Sequence, residues 1–64
     1  MNFNWIEVDK FFHYARPYRA VATIFSADGN VWVWEFINAT VHGAGKVFSL
    51  EEAKDAVEKF KEHL

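Results

Sequence analysis

The chain contains no cysteine, which removes a disulfide framework, a thiolate metal site and a cysteine nucleophile together. That composition suits a reducing compartment, and the cytoplasm is the expected location. One proline and three glycines in 64 residues leave no material for a flexible linker, so residues 1–64 are expected to form a single domain. Charge of one sign is not in excess: seven Lys and Arg against nine Asp and Glu give a formal charge of −2. The basic footprint of a nucleic-acid binder is missing, and the acidity falls short of a DNA mimic. No apolar run approaches the ~18 residues of a membrane span. The opening Met1-Asn2-Phe3-Asn4 also lacks the basic region and apolar stretch of an export signal. Asn38-Ala39-Thr40 fits a glycosylation acceptor, a short pattern that arises often by chance and has no meaning without secretion.

What the chain does have is aromatic mass, 19% of residues including three Trp and seven Phe. A chain this short sits near the lower size limit for folding without staples. Rings that each bury roughly 150–250 Å² are the means of building a dense core at that size.

The pattern predicts an α+β fold, a small antiparallel three-stranded sheet with a C-terminal amphipathic helix. Ser49-Leu50-Glu51-Glu52 has the form of a capping box, in which Ser49 accepts from the Glu52 amide and the Glu52 carboxylate reaches back. Beyond it Leu50, Ala53, Ala56, Val57, Phe60 and Leu64 recur at three- and four-residue spacings, with Glu51, Glu52, Asp55, Glu58, Lys59 and Glu62 elsewhere. Tyr18 to Ser26 and Val31 to Ile37 read as strands around Ala27-Asp28-Gly29-Asn30. A two-residue turn, at Asp28-Gly29 or Gly29-Asn30, pairs residues of opposite parity. One face then carries Val21, Thr23, Phe25, Trp32, Trp34 and Phe36, and the other Ala20, Ala22, Ile24, Val31, Val33 and Ile37. Gly43-Ala44-Gly45 reads as a bend, and Lys46-Val47-Phe48 as a short third strand. The N-terminal stretch fits two templates. A helix with the stripe Trp5, Val8, Phe11, Phe12 and Ala15, ended by Pro17, is the longer match, and a strand from Phe3 to Val8 is the other.

With that helix the order is αβββα, and the chain resembles the double-stranded-RNA-binding domain. The echo is carried by Gly43-Ala44-Gly45-Lys46 and by Ser49-Leu50-Glu51-Glu52-Ala53-Lys54, against that family's glycine-rich turn and its Lys-Lys-x-Ala-Lys helix start. The resemblance implies the fold but not the usual RNA contact, since Leu50 and Glu51 stand where the family places phosphate-gripping lysines and only Lys54 matches. The segment from Tyr18 also resembles three-stranded-sheet-plus-helix DNA readers, with Trp32 and Trp34 in place and the strand arginines missing. In size and composition the chain is similar to small phage-encoded proteins that bind and inhibit host machinery.

Catalysis finds no constellation. His13, His42 and His63 lie in three separate segments without metal-ligand spacing, and Ser49 is accounted for as a helix cap. Gly45-Lys46 departs from a P-loop, with Thr40 at the earlier glycine position and Val47 following. Binding has more to rest on. His13-Tyr14-Ala15-Arg16-Pro17-Tyr18-Arg19 interleaves tyrosines and arginines, a mixture used by single-strand binders and by protein interfaces alike. The bland reading is a turn whose tyrosines cover the core edge. Trp32 and Trp34 belong either to the core or to a contact face. Both faces of the hairpin are apolar, so one of them needs a cover: the N-terminal segment, a second copy, or a foreign partner. The expectation is a non-enzymatic protein-interaction module, homodimeric and able to inhibit another macromolecule, with no cofactor, no metal and no membrane contact. Its expected contacts are Tyr14, Arg16, Tyr18, Arg19, Trp32 and Trp34. The alternative is a nucleic-acid-binding domain using Tyr14–Arg19 and the sheet aromatics.

Overall fold

The computed structural model describes residues 3–64. Met1 and Asn2, part of the opening stretch read above for an export signal, lie outside the described residues. The element order is β1 (Ile6–Asp9), β2 (Phe12–Ala15), β3 (Ala20–Ser26), β4 (Trp32–Asn38), β5 (His42–Val47) and α1 (Leu50–Glu62). Each strand pairs antiparallel with its sequence neighbours in one five-stranded sheet, ordered β1-β2-β3-β4-β5. The α+β class and the C-terminal helix match the reading of the sequence. The helix is capped by Ser49, whose Oγ accepts from the Glu52 amide at 3.1 Å. The Glu52 carboxylate returns to the Ser49 hydroxyl, also at 3.1 Å, instead of to its amide. Ala53 and Val57 are completely buried, and Phe60 extends the stripe they begin.

The sheet has five strands where three were expected, and the extra two replace the N-terminal helix. Phe12-His13-Tyr14-Ala15 satisfies a two-residue period as well as the helical one, with His13 and Ala15 buried and Phe12 and Tyr14 on the opposite side. Asp9 turns the chain just before it, its Oδ1 accepting from the Phe11 amide at 2.8 Å. That local bond competes with helix continuation. Residues 6–15 therefore widen the sheet and do not lie over either face.

The faces of the central hairpin also differ from expectation. The loop between Ser26 and Trp32 has five residues, not two, so paired residues share parity: Ala22 faces Phe36, Ile24 faces Trp34 and Ser26 faces Trp32. Side chains explain the longer loop. Ser26 Oγ accepts from the Gly29 amide at 2.7 Å, and Asp28 Oδ1 accepts from Asn30 at 2.8 Å and Val31 at 3.4 Å. Gly29 takes φ 85°, a left-handed conformation that glycine adopts without penalty. The two backbone bonds hold the Asp28 carboxyl below its usual pKa, so its contribution to the loop is full at neutral pH. That contribution is lost as pH falls below the ordinary carboxyl value of 3.8 and through the lowered folded one. One residue of register decides everything downstream, because it moves a whole strand's side chains to the other face.

The core lies between the sheet and α1, where Ala22, Ile24, Trp32, Trp34, Phe36, Ala53 and Val57 are buried. Phe60 rests against two of them, with its ring centre 5.5 Å from that of Trp34 and 5.6 Å from that of Phe36. These rings explain the third departure, since Gly43 and Gly45 sit inside β5 and not in a bend. A Cβ at Gly43 would overlap the Phe60 ring, and one at Gly45 would come within 2.5 Å of Trp34 Nε1. The glycines let the aromatic layer lie directly on the edge-strand backbone.

The start of the chain packs on the same side as the helix. Glu58 Oε2 accepts from the Phe3 amide and from Trp5 Nε1, both at 3.0 Å. Phe3 and Trp5 lie 5.6 Å apart, centre to centre, and pack on the core. Glu58→Ala removes two hydrogen bonds to a charged acceptor and is expected to cost about 2 kcal/mol, with Glu58→Gln costing less. Urea denaturation measures both, and equal midpoints for Glu58→Ala and the parent chain would show that the clasp contributes nothing.

His13 is 4% exposed and its Nε2 has no hydrogen-bond partner among the described residues. The ring sits beside Trp32, 6.1 Å between centres. A buried polar atom without a partner costs about 1–3 kcal/mol. His13→Leu is therefore expected to raise Tm by roughly 4–8 °C, the shift that about 1 kcal/mol produces in a domain of this size. A lowered Tm would mean that the imidazole is satisfied in solution.

Candidate functional site

Helix and N-terminal segment share one face of the sheet, so the other is left open among the described residues. Cross-strand registers give its composition. Phe12, Phe25, Val33 and Lys46 form one row across β2 to β5, and Ile6, Tyr14, Thr23, Glu35 and Ala44 form the next across all five strands. Val21, Ile37 and His42 form a third. Phe12, Val21, Phe25 and Ile37 remain 36%, 40%, 46% and 43% exposed, values far from a closed core. An antiparallel sheet covered on one side normally alternates apolar with polar, and this one does not. Five of the twelve residues in these rows are polar, and two of those pair, with His42 Nε2 3.0 Å from Glu35 Oε2.

Of the six residues expected to make contacts, the structure brings four to one region. Tyr14 lies between Ile6 and Thr23 in its row on the open face, and Arg16, Tyr18 and Arg19 follow in the β2–β3 connection, where all three are exposed. Tyr18 is 77% exposed and the Arg19 guanidinium lies 5.1 Å from the centre of its ring. Trp32 and Trp34 do not join them. They are 5% and 9% exposed, enclosed with the helix layer, and Trp32 Nε1 donates to the Gly29 carbonyl at 3.2 Å. Their place on the surface is taken by Phe12, Phe25 and Val33, which sequence reasoning missed as contacts. The one available signal was the loop chemistry of Ser26 and Asp28, which sets an odd loop length and hence the faces.

The histidines are scattered in space as in sequence. His13 is in the core, His42 is on the open face, and His63 ends α1 with Nδ1 2.7 Å from the Lys59 carbonyl. Among the described residues no cluster of His, Cys, Asp or Glu could hold a metal ion, and no helix is long and apolar enough to cross a membrane. Compared with known proteins, the chain matches no family model, no curated protein and no solved structure at a significant level.

Proposed function

We propose that the protein is a non-enzymatic interaction module that works as a homodimer, two copies packing their open sheet faces together. The observation that carries this is the apolar outer face, with Phe12 and Phe25 paired across β2 and β3 and both exposed. Five strands about 4.8 Å apart and central strands of seven residues give a face of roughly 20 by 23 Å. Two such faces together bury on the order of 1,000 Å², the lower bound for a specific interface.

Charge favours a second copy over a foreign partner. Residues 1–49, which include the whole sheet, hold four basic and four acidic side chains, so no net field selects a charged ligand. On the face itself Glu35 and His42 already satisfy each other. Nucleic acid suits it less, because Glu35 lies mid-face, where a phosphate chain would cross. A dimer closed in this way would leave Arg16, Tyr18 and Arg19 of the β2–β3 connection free to meet another macromolecule. The cysteine-free composition supports a cytoplasmic setting.

Light scattering on a size-exclusion column, over a hundredfold range of concentration, tests the reading. The expected mass is twice the 7.5 kDa chain at micromolar concentration, falling on dilution. A monomer throughout that range would overturn it.

A further inference from the structure

The connection between β2 and β3 differs from the other hairpin turns. Asp9, Ser26 with Asp28, and Asn38 each cap a turn with a side-chain oxygen, Asn38 Oδ1 taking the Thr40 and Val41 amides at 2.8 and 2.7 Å. Between β2 and β3 no such cap exists among the described residues. The turn closes through the Ala20 amide donating to the Pro17 carbonyl at 2.9 Å, and Arg19 is held at φ 57°. An arginine in that left-handed region costs roughly 1–2 kcal/mol that glycine would not. The strained turn holds Tyr18 out from the sheet, with Arg19 against its ring.

Beside it lies a cavity of about 390 Å³, within the range of small-molecule sites. Phe3, Tyr14 and Tyr18 supply aromatic walls, Asn4 an amide, and Arg16 and Lys61 positive charge, with no carboxylate in the lining. Neither Arg16 nor Lys61 forms an ion pair among the described residues. Lys61 stands in the last turn of α1, where it also offsets the negative end of the helix dipole. Three rings and two unpaired cations in one hollow match a flat ring that carries an anion. The ring stacks on tyrosine and the anion takes charge-assisted hydrogen bonds from the guanidinium and the ammonium.

We infer that this corner is a binding site for a small aromatic anion of nucleotide size, held by Tyr14 and Tyr18 through its ring and by Arg16 and Lys61 through its phosphate or carboxylate. One copy supplies every residue named, although Tyr14 also belongs to the sheet face proposed to pair. It accounts for Arg16 and Tyr18, which the sheet face leaves unused.

The test is an NMR titration of the full chain with adenosine 5′-monophosphate, with adenosine and inorganic phosphate as separate probes. The expected result is saturable shifts at Asn4, Tyr14, Arg16 and Tyr18 with the nucleotide, and affinity at least tenfold lower for either probe alone. Arg16→Gln with Lys61→Gln, both exposed positions, should keep the parent spectrum elsewhere and weaken nucleotide binding at least tenfold. Equal affinity for adenosine, unchanged binding by the double variant, or shifts confined to other residues would each overturn the assignment. Light scattering on the same samples separates this outcome from the fate of the dimer.

Discussion

Phe36→Ala is expected to remove about half of the chain's stability at 25 °C. Phe36 is completely buried in β4, faces Ala22 on one side and Gly43 on the other, and meets Phe60 across the layer. Truncating a buried Phe costs about 3–5 kcal/mol, part of it lost transfer energy and part the cavity left behind. Glycine at the neighbouring position offers no side chain to collapse into that space. A domain of this length has roughly 3–10 kcal/mol of total stability, so one substitution removes a large share of it. Circular dichroism with a urea titration reads the result. A loss under about 1 kcal/mol would show that the core is not centred on this ring.

Phe25→Asp is expected to have the second largest effect, on assembly and not on folding. Phe25 is 46% exposed on the face away from α1, so a monomer carrying aspartate keeps every core contact. In a two-fold dimer the substitution counts twice, removing two rings and burying two unpaired carboxylates in the contact. A rise in dimer Kd of at least a hundredfold is expected, equivalent to about 2.7 kcal/mol. Sedimentation or light scattering measures it, with far-UV circular dichroism to show that the fold persists. A dimer of unchanged affinity would place the interface elsewhere, with the free edge of β5 the next surface to examine.

Legibility in the sequence followed how local each determinant is. The C-terminal helix is specified by its own residues, cap and stripe together, and it stands where the spacing predicts. The strands Ala20–Ser26 and Trp32–Asn38 were visible for the same reason. What was not visible depends on partners distant in sequence. Gly43 and Gly45 look like a bend until Phe60 and Trp34 are known to press on them. Phe12 to Ala15 fits helix and strand equally until β3 is available to pair with it. The tryptophans changed sides because the loop holds five residues and not two. That difference rests on the hydroxyl of Ser26 and the carboxylate of Asp28, small local acceptors whose effect reaches across the sheet.

The bonds from Phe3 and Trp5 to Glu58 join positions 55 and 53 residues apart, whereas every strand pairing joins neighbours in sequence. Hairpins of this kind form early, because each closes only a short loop. The clasp needs both the sheet and the helix in place, and it is expected to close after the folding barrier. Interactions made that late act on the rate of escape from the native state and hardly on the rate of arrival. Phe3 and Trp5 are thus expected to act as a latch on the lifetime of the fold, so that Glu58→Ala raises the unfolding rate more than it lowers the folding rate.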